Sequence, residues 1–170
     1  PIVTPHPGEL ARLLGWTTEQ VSADRLGAAR EAASRTQSVV VAKGHRTLIA
    51  EPDGEVWVVA PDFERSGVSH AISYTVPMRM TQLDERRYTV DGYPADCVLV
   101  GLHVILKESP PDLILSGVNR GHNVAEDVVY SGTAGAAMEG GLNGVRSIAL
   151  SQFYGSGCVR SIALSQFYGS

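Results

Sequence analysis

The sequence predicts an α/β fold, a three-layer αβα arrangement around a mainly parallel sheet. Short apolar runs alternate with helical patterns along the chain, as parallel strands and their crossover helices do. The 170 residues, 44% hydrophobic and 19% charged, suffice for one compact domain with a core. The stretch Leu113 to Gly140 passes from an apolar run through two polar glycine loops into a small-residue helix, and ligands of open α/β sheets sit at such strand ends.

The first element is a short strand at Ile2 to Thr4, followed by the breaker run Pro5-His6-Pro7-Gly8 and a helix from Glu9 to about Leu14, stopped by Gly15. Thr17 with Gln20 makes a capping-box pattern, and the alanine-rich stretch Ala23 to Ser34 places Leu26, Ala29 and Ala33 on one helical face. Val39 to Ala42 reads as a buried strand. Thr47 to Ala50 and Glu55 to Ala60 read as a hairpin around Pro52-Asp53-Gly54. A polar loop at Asp62 to Ser69 precedes strands at Ala71 to Arg79 and Arg87 to Val90. A helix runs from Pro94, at its first position, to about Leu106, with Asp96 as a first-turn carboxylate. After Pro110-Pro111, Leu113 to Leu115 is a buried strand that turns polar at Ser116-Gly117. A helix from Ala134 to Glu139 and a strand from Ser147 to Ser151 complete the fold.

A net charge of −4 argues against coating nucleic acid or binding a membrane surface, roles that basic stretches usually mark. No apolar stretch approaches the roughly 20 residues that span a bilayer, and the opening PIVTPHPGEL lacks a signal-peptide pattern, so a cytoplasmic location is expected. Cys97 and Cys158 lack metal-like spacing and are expected to be reduced thiols.

Four segments carry a family resemblance: VVAPDFERSGVSH at Val58 to His70, GYPADCVLVGL at Gly92 to Leu102, SGVNRGHN at Ser116 to Asn123, and YSGTAGAAMEG at Tyr130 to Gly140. Over residues 58–152 the chain resembles the SurE family of metal-dependent 5'/3'-nucleotidases. The resemblance implies hydrolysis of nucleoside 5'- or 3'-monophosphates to nucleoside and phosphate, a divalent cation such as Mg²⁺ or Mn²⁺, and association into dimers or tetramers. It implies Ser66 and Asn119 as metal ligands and Asn123, Ser131, Gly132 and Thr133 as the lining of the phosphate site. Each has a plain structural reading beside this one: Ser66 as a turn residue, the asparagines as left-handed loop residues, Ser131 as a helix N-cap.

The family's two adjacent metal-binding aspartates, in a TNDDG motif after the first strand, have no counterpart. Aligning Thr4 and Gly8 with the motif's ends places His6 and Pro7 at the aspartate positions. Hard cations take oxygen ligands and are drawn mainly by carboxylate charge, so weak metal binding and slow or absent turnover are expected. Residues 1–57 resemble instead a fragment of the ADP-dependent NAD(P)H-hydrate dehydratases, through TPHPGELARLLG at Thr4 to Gly15 and VVVAKGHRTLIAEPDG at Val39 to Gly54. Lys43 would then match a nucleotide-proximal loop, but that family's later GTGD motif is missing. Finally, VRSIALSQFYGS at Val145 to Ser156 recurs identically at Val159 to Ser170. The expected organisation is a dehydratase-like segment 1–57 standing in for the first βα unit, a nucleotidase core 58–152, and a duplicated tail 153–170. The competing readings are an inactive nucleotide-binding remnant and a dehydratase fragment.

Overall fold

The computed structural model describes residues 1–42, 48–50, 52, 56–155 and 158–167. It divides into two compact units, Pro1–Val56 and Trp57–Ser170, and the α/β class holds in both.

In the first unit β1 (Ile2–Val3) pairs in parallel with β2 (Val39–Ala42), whose other edge takes β3 (Leu48–Ala50) antiparallel. Between β1 and β2 lie α1 (Pro7–Leu14), α2 (Thr18–Ala23) and α3 (Arg25–Thr36). Helix α1 begins two residues before the expected Glu9. Proline tolerates the first helical position because its missing N–H has no partner there, so Pro7 opens the helix instead of breaking it. His6 is the N-cap, its Nδ1 accepting from Gly8 N at 3.0 Å. The Thr17–Gln20 capping box forms as expected. The alanine-rich stretch is split at Asp24, which caps α3 by accepting from Gly27 N at 2.8 Å. Ala28, Ala29, Ala32 and Ala33 consequently face the core with Leu10, Leu14, Val21 and Val40, and Leu26 is exposed.

In the second unit β6 (Arg87–Val90) lies between β4 (Val58–Pro61), in parallel, and β5 (Met80–Asp84), antiparallel. A second sheet pairs β7 (Ile114–Arg120) in parallel with β8 (Ser147–Gly155), and β8 antiparallel with β9 (Cys158–Phe167). Strands β8 and β9 include the duplicated sequence, with Leu150 opposite Leu164. Helix α4 (Pro94–Val100) continues into π-helical turns at Gly101–Ile105. Between β7 and β8 come α5 (Asp127–Tyr130) and α6 (Gly132–Leu142), so β7-α6-β8 is a parallel crossover unit. Buried Ala134, Ala136 and Ala137 of α6 and Ile148, Ala149 and Leu150 of β8 belong to its interior. A further cluster joins Val90, Cys97 and Val100 with Val59 and Met78.

Two expectations are corrected. The hairpin of Thr47 to Ala60 does not form: β3 pairs with β2 and β4 pairs with β6. Its turn residues Asp53 and Gly54, like Thr47 and Lys43, lie outside the described residues. Ala71 to Arg79 is not a strand. Pro77 cannot donate to a ladder, and Ser73 N and Oγ are committed to the Asp96 carboxylate at 3.0 and 2.8 Å.

Candidate active site

The site is built around a bulge at the end of β7. Ser116 stands opposite Ala149 of β8, but Asn119 stands opposite Ser151, so β7 holds one extra residue at Gly117-Val118. Bulges re-aim the side chains that follow them. Gly117 is required there: its φ is 122°, and a Cβ would lie 2.5 Å from the Leu150 carbonyl oxygen. The polar turn expected at Ser116-Gly117 is therefore a kink within a longer strand, and Asn119 sits on β7 itself.

Beyond the kink, Asn119 is the centre of a polar network. Its Nδ2 donates to Gly121 O at 3.1 Å and to Asn123 Oδ1 at 3.3 Å, and its Oδ1 accepts from Thr133 Oγ1 at 3.4 Å. Asn123 Nδ2 in turn donates to Ser151 Oγ on β8 at 2.9 Å. These bonds join the β7 end, the following loop, β8 and the first turn of α6. Ser131 is the α6 N-cap, its Oγ accepting from Ala134 N at 3.1 Å. Helix geometry leaves the Gly132 and Thr133 N–H groups outside the intrahelical ladder, with the positive end of the helix dipole behind them. An N-terminus of this kind suits an oxyanion.

The Asp62 to His70 loop approaches the same helix end. A Cβ on Gly132 would lie 2.9 Å from Val68 Cγ2 and 3.5 Å from Arg65 O, so glycine permits the contact. Arg65 holds the base of the loop: its guanidinium lies 3.4 Å from the Phe63 ring centroid and 5.0 Å from that of Tyr93, and Nε donates to Gly92 O at 3.1 Å. Ser66 is exposed and its hydroxyl donates to Glu64 Oε1 at 3.3 Å. Asn119, Asn123 and Thr133 are thus brought together directly and Ser131 and Gly132 adjoin them. No hydrogen bond among the described residues ties Ser66 to the network.

A hard divalent cation does not fit the donors that the described residues supply here. Asn119 Oδ1 already accepts from Thr133, Ser66 is turned to Glu64, and both are neutral ligands. No group of three or more His, Cys, Asp or Glu side chains among the described residues could hold a metal. His6 spends Nδ1 capping α1.

Two carboxylates have partners that the sequence does not disclose. Asp96 is the first-turn carboxylate expected, but it is fully buried, accepting from Ser73 N and Oγ and from Tyr93 N at 2.8 Å. Glu139, also buried, meets His70 across the loop, Nε2 to Oε2 at 2.7 Å. Helix position alone signals neither, because their partners are 23 and 69 residues away in sequence. Cys97 is a buried thiol, pushed up to about 12 by burial and then by the Asp96 and Asp62 charges. No helix among the described residues is long and apolar enough to cross a membrane.

A family model for the survival protein SurE matches residues 26–167. The chain is 63% identical over 107 residues to a 5'-nucleotidase SurE from Ruegeria pomeroyi, covering 63% of this chain and 41% of that protein. It is 62% identical over 109 residues to a 5'-nucleotidase SurE from Roseobacter denitrificans, covering 64% and 42%. The crystal structure of the SurE protein from Aquifex aeolicus superposes with a TM-score of 0.57 at 44% identity, covering 77% of this chain and 46% of that one. The chain therefore spans under half the length of these relatives. The dehydratase resemblance of residues 1–57 receives no support from these matches, and the SurE match extends back into that segment. Matched over most of its length, the chain belongs to the survival protein SurE family.

Proposed function

We propose that this chain carries the phosphate-holding half of a nucleotidase site, and that its substrate class is nucleoside 5'- or 3'-monophosphates. One observation carries the reading: the Asn119 network ends at the N-terminus of α6, where Ser131, Gly132 and Thr133 surround two N–H groups outside the helical ladder. In this reading the α6 N–H groups and the Thr133 hydroxyl hold the phosphoryl oxygens. Asn123 and Asn119 fix the loop that closes over them, and the loop that carries Ser66 approaches the same helix end through Val68 and Arg65 O. The names of the relatives, 5'-nucleotidase SurE, support the same chemistry.

The metal-holding half is incomplete among the described residues. Phosphomonoester hydrolysis needs the developing charge neutralised and a water activated. The neutral pair Ser66 and Asn119 supplies too little attraction for Mg²⁺ or Mn²⁺. Turnover is accordingly slow or absent, and binding of the monophosphate is the property that remains.

The test is phosphate release from AMP with Mn²⁺ or Mg²⁺, run on the parent chain and on Pro5→Asn/His6→Asp/Pro7→Asp. An inactive parent that AMP nevertheless stabilises against heat, with an active variant, is the expected result. A parent and a variant both indifferent to AMP, each melting cooperatively, would sink the proposal.

A further inference from the structure

The loop that carries Ser66 is polar and exposed, so its position over α6 needs an anchor. On its far side Ser69 N donates to Tyr130 O at 2.9 Å and Ser69 Oγ to Val129 O at 2.7 Å. Next in the chain, His70 Nε2 meets Glu139 Oε2 at 2.7 Å. Glu139 is 7% exposed and is the sole charged residue in α6, a helix otherwise of small and apolar side chains and one threonine.

A buried carboxylate is costly unless every lone pair is engaged, and this one is engaged on both oxygens. Oε1 accepts from Asn143 Nδ2 at 2.8 Å, and Asn143 Oδ1 lies 2.9 Å from His103 Nε2 on the π-helical turns. The Glu139 carboxylate is therefore held from below by Asn143 while it holds His70 above. Gly135, one turn nearer the helix start, completes the fit: a Cβ there would lie 2.6 Å from Ser69 O and 2.9 Å from His70 Cα. The loop end is seated on the helix whose first turn forms the phosphate site.

We propose that Glu139 and His70 form a clasp whose function is positional: it sets the Asp62 to His70 loop, and with it Ser66, over the N-terminus of α6. Neither side chain touches phosphate. The inference rests on the proposed phosphate site for its functional consequence, but the clasp itself is measurable without any ligand.

The experiment compares the parent with Glu139→Gln, His70→Ala, His70→Gln and the Glu139→Gln/His70→Ala pair. Amide hydrogen exchange is followed across residues 62–70, and AMP affinity is measured by calorimetry. His70→Ala is expected to speed loop exchange about tenfold and weaken AMP about five-fold, while exchange in α1 stays unchanged. His70→Gln, which keeps a donor toward Glu139, should recover part of both. The double variant should be no worse than the worse single, since both remove one contact. Should Glu139→Gln fail to fold, the partly exposed His70 series alone decides. Loop exchange that stays at the parent's rate overturns the clasp. A loosened loop with unchanged AMP affinity overturns its role at the phosphate site. A parent that binds no AMP overturns the phosphate reading and that role together, with the exchange data still deciding the clasp.

Discussion

Asn119 shows what a single side chain does in this site: one amide bonds to three residues, two in the following loop and one in α6, so its removal reaches both. Asn119→Ala is expected to abolish the AMP-dependent rise in melting temperature, whereas Ser131→Ala, losing a cap worth about 1 kcal/mol, should mainly lower the melting temperature itself; thermal shift with and without AMP separates them. Ser73→Ala removes the hydroxyl, one of the three donors to buried Asp96, and leaves the two backbone N–H groups; urea unfolding should show a loss of about 1–3 kcal/mol. Cys97 gives a pH prediction with a definite sign. The fold holds its thiol protonated up to about 12, above the ordinary 9.0. Between those values the unfolded chain has released a proton that the folded chain keeps, so stability falls as pH rises. The slope from this group is at most about 1.4 kcal/mol per pH unit. Alkylation at pH 8 followed by peptide mapping should find Cys97 unlabelled in the folded chain and labelled in denaturant. Ser66, Asn119, Asn123 and Ser131 were nameable from sequence because short motifs surround them. The burial of Asp96 and Glu139 was not legible, because it comes from contact with Ser73 and His70, and one-dimensional spacing carries no record of it.

Elements with local causes were legible. The Thr17 capping box, β2 and β6 follow from neighbouring residues and formed where expected. Elements that depend on a partner strand were not: β3 and β4 each satisfy the local rules for a hairpin, yet β2 and β6 claim them. Helix α1 shows a boundary set by a local rule, since Pro7 starts the helix it was expected to precede by two residues. This also bears on the aspartate-restoring variant. Position 6 is an N-cap and position 7 the first helical residue, both places where aspartate is favourable to the helix. Circular dichroism of that variant should match the parent, and a loss of helix would mean the motif cannot be grafted here. Gly117→Ala, with its Cβ driven against the Leu150 carbonyl, is expected to cost about 3 kcal/mol or more. Denaturant unfolding measures this directly.

At the scale of the whole chain there are two interiors. Leu10, Leu14, Val21 and the α3 alanines close one within the first unit, and the clusters of the second unit share no residue with it. Calorimetry should resolve two unfolding transitions, with AMP raising only the one that belongs to residues 57–170; a single transition would show that the units unfold as one. Asn119, Ser131, Gly132 and Thr133 all fall within one α/β crossover because β7, α6 and β8 are consecutive in the chain. At the outer side of the same sheet the duplicated segment pairs with its own copy. With Ser147 opposite Phe167, Ile148 opposite Gln166 and Leu150 opposite its own copy Leu164, β8 and β9 are related by a local two-fold axis. One chain thus contains a homodimer of strands. In the order β7-β8-β9 the last strand has a single neighbour, and its sequence is one that has already been matched to itself. An edge strand presents unpaired N–H and C=O groups as a template for a further strand, and every copy of this chain carries two strands of the sequence that β9 already pairs with.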